Sequence, residues 1–401
     1  MTNEQQWLAR KYITYRTLIN MWFVGAIWLY FYRLFITDQQ VGILDGLAFA
    51  IGLLAEVPSG ALADKFGRDR TVKLGQLLSG SGFLIQSVAS SFLLIFIGQT
   101  IMMIGFALVS GADDALFFER LKFDKNSNDW RKLVTRASQM ALVGSLFAYV
   151  IGGWTYSIEP RIPWVLNGIA FISSAIVIWS VKDMRPKKAR QNFLPEIKDY
   201  LLDIKTGFAQ FKTPKLLIYI PFILTVQGLF YASSFGLLRL IMLDRFHFSP
   251  FWGSVVVASS SLITVGILAY MHKYADKLGE KKVLITIGLI AVSSLVLSVA
   301  NIGYWGYIVI LAIYAGEQVL NPYMSEVLNT HSPENQRATV LSVASFFKSL
   351  PYVLLAPAIG YLNNHNKIEY FLIAWSIVVL IAIFIYLSSK KRDDFIALPE
   401  Q

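Results

Sequence analysis

The sequence predicts an all-α membrane protein with twelve transmembrane helices. They form two six-helix lobes related by a pseudo-two-fold axis along the membrane normal. Three observations predict it. Apolar runs long enough to cross a bilayer recur along all 401 residues. Basic residues collect in every second connection. A set of short patterns from the first half returns in the same order in the second.

The apolar runs can be read as helices near 12–36, 41–63, 71–90, 92–118, 134–157, 163–182, 216–243, 251–272, 282–300, 304–328, 338–361 and 369–389. Only 15% of residues are charged against 55% hydrophobic, too little charge to clothe a soluble surface of this size. Lipid cannot satisfy an open backbone, and no barrel-like alternation is present, so the spans are helices. The first apolar run starts too late and is too long for a cleavable signal peptide.

The net charge of +10 is not a nucleic-acid footprint, because it is distributed by connection. One set of loops holds Lys65, Arg68, Arg70 and Lys73; then Arg120 to Lys132; Lys182 to Arg190; Lys273 to Lys282; and Lys390 to Arg392. The intervening loops hold scattered Arg33, Arg161, Arg245 and Lys367. Positive residues stay cytoplasmic, so both termini are expected inside and the span count even. The domain expectation is an N-terminal lobe over 1–182, a cytoplasmic linker over 183–215, a C-terminal lobe over 216–389 and a cytoplasmic tail over 390–401. Within the linker, Ile197, Leu201, Ile204 and Phe208 share a helical stripe, which suits an amphipathic helix on the inner membrane surface; a flexible linker is the other reading.

The repeat is carried by three correspondences. After span two stands Gly60-Ala-Leu-Ala-Asp64-Lys-Phe-Gly67-Arg68-Asp-Arg70; after span eight, Asp276-Lys-Leu-Gly279-Glu-Lys-Lys282. Span four ends with Glu119 before Arg120 and Leu121, span ten with Glu326 before Val327 and Leu328. Spans five and eleven open with Arg136-Ala-Ser138 and Arg337-Ala-Thr339. A six-helix unit used twice in parallel is the plan of a two-lobed transporter.

The Gly60 to Arg70 segment resembles the signature loop of the major facilitator superfamily, and it sits between spans two and three as it does there. Glu56-Val-Pro58-Ser-Gly60, the Ser110 to Ala115 stretch and Arg337 to Ser342 are similar to a bacterial branch that includes tetracycline and multidrug efflux proteins. The resemblance implies exchange of drugs for protons across the bacterial cytoplasmic membrane. It also implies a cytoplasmic latch between lobes, built here from Gly60, Asp64, Gly67, Arg68, Glu119 and Arg136, and in the second half from Asp276, Gly279, Lys282, Glu326 and Arg337. The alternative is that these are topology-setting charges. Two departures stand out. Span five reads Gly144-Ser-Leu-Phe-Ala148-Tyr149-Val-Ile-Gly152-Gly153, with Ala-Tyr where the antiporters carry Gly-Pro. Span four, from Gly98 to Gly105, lacks their arginine.

Charges inside a span are costly and usually face a cavity or a partner. The candidate substrate and proton residues are Glu56, Asp113, Asp114, Glu317, Asn321 and Lys348. Glu56 precedes Pro58, which can open the helix locally. Asp113 and Asp114 point about a quarter-turn apart, one toward the cavity and one toward the latch. Glu317 and Lys348 suggest a midplane pair between spans ten and eleven, either substrate-gated or static. Arg33 and Arg239 are read as interfacial anchors or an outer gate, and Arg33 has Asp45 within reach as a partner.

No phosphate loop, catalytic motif or metal-ligand set is present, and there is no cysteine, so no enzyme, cofactor or metal is expected. The expected partners are a small-molecule substrate, protons and the bilayer, with the chain a monomer. Proton-coupled efflux of amphipathic drugs is the leading reading. A proton-coupled carrier of a specific organic anion or nutrient, with Lys348 as counter-charge, is the second; a non-transporting receptor is the third.

Overall fold

The computed structural model describes residues 3–121, 127–183 and 205–396. Every regular element among them is helical. In chain order these are α1 (Asn3–Ile19), α2 (Trp28–Tyr32), α3 (Asp38–Phe66), α4 (Arg68–Ser87), α5 (Phe92–Val109), α6 (Ala112–Leu121), α7 (Ser127–Ile158) and α8 (Ile162–Val177). A short helical piece, α9, covers 205–210. Then come α10 (Pro214–Leu217), α11 (Ile220–Phe222), a π turn (Ile223–Gln227), α12 (Gly228–Ser234) and α13 (Leu237–Arg245). The chain ends with α14 (Pro250–Leu278), α15 (Glu280–Val299), α16 (Gly306–His331), α17 (Arg337–Asn364) and α18 (Ile368–Ile396). Seven of the twelve expected spans are long and apolar enough to cross a membrane by length and composition alone. The other five are α1 with α2, α3, α4, α8 and α16, which are interrupted, shorter or richer in polar side chains. Large side chains such as Leu54, Phe147, Trp154, Ile176, Leu354 and Phe384 are exposed on the helices, as suits a lipid solvent.

The repeat read from sequence is visible in the backbone. Helices α3 and α14 are each 29 residues, and α4 and α15 each 20. Gly67 and Gly279 separate them with φ of +95° and +73°, a conformation a side chain would strain. Gly60, by contrast, is exposed with open space where a Cβ would stand, so close packing does not require glycine there.

The chain forms two compact units. The first takes in the described residues of Met1–Thr37, Leu47–Tyr200 and Pro250–Ala258; the second those of Asp38–Gly46, Leu201–Ser249 and Ser259–Gln401. In the first unit α4 is the central rod, packed on α5 and α8. Gly75 and Gly82 of α4 meet the backbone of Gly105 and Gly98 of α5, so the two helices touch main chain to main chain.

Span one, expected as one helix over 12–36, is broken between Ile19 and Trp28. The apolar run is continuous, so the reason lies elsewhere in the chain. Asn167 of α8, fully buried, accepts from the Val24 N–H at 3.0 Å and donates to the Met21 carbonyl at 3.0 Å. One amide side chain thus replaces backbone bonds that lipid could not. The broken segment lies on α7. Gly152 is in such close approach to the Phe23 carbonyl that a Cβ would collide with it, and one on Gly25 would stand 2.6 Å from the Tyr149 ring. The Ala-Tyr that departs from the antiporter pattern in span five therefore packs against the break in span one. Gly152→Ala is expected to destabilise by about 1–3 kcal/mol through overpacking against main chain. A lowered melting midpoint in detergent checks this; an unchanged midpoint would show that the interface can relax.

In the second unit span seven is also irregular. The π turn presents the Thr225 carbonyl to Trp375 Nε1 of α18 at 3.1 Å. The break before α13 is closed by the Tyr352 hydroxyl, which accepts from the Leu237 N–H at 2.8 Å. That hydroxyl also hydrogen-bonds the carboxylate of buried Asp45, at the start of α3. Spans one and seven, equivalent in the repeat, are thus both broken and both mended by side chains from other helices. The expected amphipathic helix of the linker falls mostly on 195–204, outside the described residues. Phe208, assigned to its membrane-facing stripe, packs edge-on against Phe346 and Phe347 of α17 at ring separations of 5.7 and 5.3 Å. Pro58 leaves α3 unbroken.

Candidate functional site

Two clusters of ionisable side chains lie within the helical units, one in each. In the first unit the chain between α5 and α6 turns at Ser110 and Gly111, the latter with φ of +72°. This places Asp113 and Asp114 in the first turn of α6, where unpaired N–H groups favour carboxylates. Asp113 accepts from the Asp114 N–H at 2.8 Å. Helix α1 supplies the counterpart: Tyr12, Tyr15 and Arg16 are spaced to share one face. Tyr12 donates to Asp114 at 2.8 Å, and Tyr15 to Asp113 at 3.1 Å. Gln76 of α4 donates to the Tyr15 hydroxyl at 2.8 Å. Arg16 Nη1 stands 3.5 Å from Asp113 and 3.7 Å from Asp114.

One guanidinium therefore serves two carboxylates, leaving one net negative charge when both acids are ionised. Asp113 is enclosed, with its side chain 8% exposed, while that of Asp114 is 52% exposed. Both open on a cavity of about 340 Å³ with Trp22, Phe106 and Phe171 on its walls and Arg16 and Gln76 beside the acids. The division of the two aspartates between a cavity and a latch is not what the geometry gives: Arg16 joins them. Sequence reasoning missed Arg16 because a basic residue near the start of span one reads as a topology charge. The helical spacing of Tyr12, Tyr15 and Arg16 was the available signal.

At the expected cytoplasmic end, Arg68 Nη1 and Glu119 Oε1 form an ion pair of 2.5 Å. The Arg68 N–H, first of α4, donates to the Asp183 carboxylate at 2.9 Å, a cap that sequence reasoning did not assign. Lys73 pairs with Asp69 at 3.0 Å and Arg120 with Glu4 at 2.9 Å. Arg136 is exposed on α7 and forms no ion pair among the described residues. Glu326 is exposed on α16. Arg337 is exposed, donates to the Asn329 carbonyl at 3.2 Å and lies 3.9 Å from Glu334. The side chains of Asp64 and Asp276 fall outside those described. Glu56 is exposed on α3 with no carboxylate partner among the described residues.

The second cluster lies where α12, α13, α16 and α17 meet. Tyr314, Glu317 and Asn321 share a face of α16. The Glu317 carboxylate, 6% exposed, accepts from Ser234 of α12 and is also bonded by Asn321. Gln227, carried by the π turn, donates to Asn321 at 3.3 Å. Arg239, expected near an interface, is instead 6% exposed and donates to the Tyr314 hydroxyl. Lys348 of α17 does not pair directly with Glu317. Its ammonium stands 5.9 Å from the centre of the Tyr231 ring. Both Lys348 and Arg239 are near enough for Glu317 to feel their charge.

Two helical units, broken helices in equivalent spans and charges held among the helices define a membrane transporter. The chain belongs to the Major Facilitator Superfamily, whose sequence profile matches residues 15–356 and, a second time, 222–395. Among curated relatives it is 22% identical to multidrug resistance protein MdtH of Salmonella typhi over 303 residues, covering 75% of this chain and 71% of that one. It is 20% identical to MdtH of Proteus mirabilis over 289 residues, covering 70% and 68%. Among solved structures, nucleoside transporter NupG superposes with a TM-score of 0.74 at 12% identity, covering 97% of this chain and 100% of that one. Peptide transporter POT in complex with sulfate gives 0.73 at 12% identity, covering 96% and 94%. At these identities the structural likeness establishes the fold alone.

Proposed function

We propose that this transporter exports amphipathic cations or zwitterions in exchange for protons, across a bacterial cytoplasmic membrane with both termini inside. The observation that carries this reading is the aromatic-walled cavity closed on one side by Arg16, Asp113 and Asp114. Its single net negative charge suits either one proton or one cationic group. Occupants that compete for one charge give antiport when each favours a different state of the transporter. The aromatic walls suit a large apolar body bearing a cation. Relatives named as multidrug resistance proteins support the same reading.

The test uses the full-length protein in liposomes containing a pH-sensitive dye, with ethidium and rhodamine 6G as substrates. Asp113→Asn is expected to abolish substrate-driven proton movement while leaving some downhill dye flux. Proton movement that survives in Asp113→Asn would move the coupling site elsewhere. The Arg68–Glu119 pair is proposed as part of the cytoplasmic latch. Arg68→Gln is then expected to lower turnover about tenfold with equilibrium dye binding unchanged, corresponding to about 1.4 kcal/mol between states. Recovery of turnover in the Arg68→Glu, Glu119→Arg exchange supports the pair; lost binding in Arg68→Gln would refute a purely conformational role.

A further inference from the structure

Lys348 of α17 stands within electrostatic reach of one carboxylate, Glu317. That carboxylate is already held by neutral donors, Ser234 and Asn321. Lys348 makes no hydrogen bond and no ion pair among the described residues; its ammonium stands 5.9 Å from the centre of the Tyr231 ring and feels the charge of Glu317. Ionisable groups within a span usually pair with one another or line a water-filled path, and the cost of leaving one bare is several kcal/mol. Arg239 is engaged by Tyr314 and enclosed. Lys348 is only partly buried, and Ser345, one turn earlier on α17, is exposed. The cluster therefore has a partly exposed lysine whose ammonium makes no direct ion pair among the described residues, next to an aromatic ring that can stack on a planar solute.

We propose that Lys348 recognises the anionic end of a zwitterionic cargo, taking its carboxylate or a similar group, with the Tyr231 ring stacking on the part that bears it. Glu317 supports the site by being occupied elsewhere: held by Ser234 and Asn321, it leaves the ammonium to the cargo. The inference rests on the chain being a transporter and not on proton exchange at Asp113, so the two readings can fail separately.

The protein contains no cysteine, so one introduced thiol is a clean reporter. In full-length Ser345→Cys, reaction rates are measured with an anionic sulfonate methanethiosulfonate and a cationic trimethylammonium one. The anionic reagent is expected to react roughly tenfold faster relative to the cationic than it does when Lys348→Gln is added, as one nearby charge implies in a partly watered site. Lys348→Arg in place of Lys348→Gln should keep the preference. Salicylate should slow the labelling and salicylamide should not. An anionic-to-cationic ratio unchanged by Lys348→Gln overturns the proposal. Protection by salicylamide equal to that by salicylate overturns it too, as does failure of both reagents to react, since the site would then be closed to water-borne ions. None of these readouts requires transport or a proton gradient.

Discussion

Arg16→Gln is expected to weaken the protein and, on the proposed exchange of substrate for protons, to abolish their coupling. The wild-type cluster is one guanidinium against Asp113 and Asp114, at 3.5 and 3.7 Å. Without the cation two neighbouring carboxylates remain, hydrogen-bonded to Tyr12, Tyr15 and one backbone N–H. Formally, one proton takes the wild-type cluster from one net negative charge to none, whereas without the cation it leaves a charge behind, so proton and cationic substrate no longer substitute for one another. Removing one partner of a buried pair typically costs about 3–5 kcal/mol, and the exposure of Asp114 brings the figure here toward the lower end. The checks are a melting midpoint in detergent and dye-driven proton movement in liposomes. Adding Asp114→Asn to Arg16→Gln should return stability, because a single carboxylate remains. Wild-type proton movement in Arg16→Gln would remove this cluster from the coupling mechanism.

The same residues show where sequence reading reaches its limit. The duplicated Asp-Lys-x-Gly carried its own geometry, because a glycine between two long helices needs a positive φ, and Gly67 and Gly279 both have one. Alternating basic loops and apolar length were enough to lay out the spans, since lipid allows few other structures. Glu317 and Lys348 stood out as charges in apolar runs. What they touch did not, because Ser234, Arg239 and Tyr231 come from a span whose irregular turns periodicity cannot show. Arg16 was hidden for a different reason. Its acids lie about a hundred residues downstream, and nothing local separates an arginine that pairs with acids on another helix from one that sets topology. The break in span one is an extreme case. The residues from Asn20 to Ile27 are mostly apolar and read as helix, and the side chain that stabilises the break belongs to span six.

Asn167→Leu should therefore be more damaging than its apolar setting suggests. Leucine fits a lipid-embedded helix by volume and propensity, and α8 would remain intact. The loss falls on the other helix, where the Val24 N–H and the Met21 carbonyl would each lose a partner at 3.0 Å. Each bare backbone group costs about 1–3 kcal/mol, so the pair amounts to roughly 2–6 kcal/mol. Span one can escape only by winding into a continuous helix, and that rotates one part of it against the other. Tyr15 and Arg16 lie before the break and Trp22 within it, so re-winding would pull Trp22 from the wall of the cavity that Arg16 helps to close. The expected result is a lowered melting midpoint together with weakened ethidium binding. Equal stability of wild type and Asn167→Leu would mean that the break is fixed by Gly25 and Gly152 packing alone.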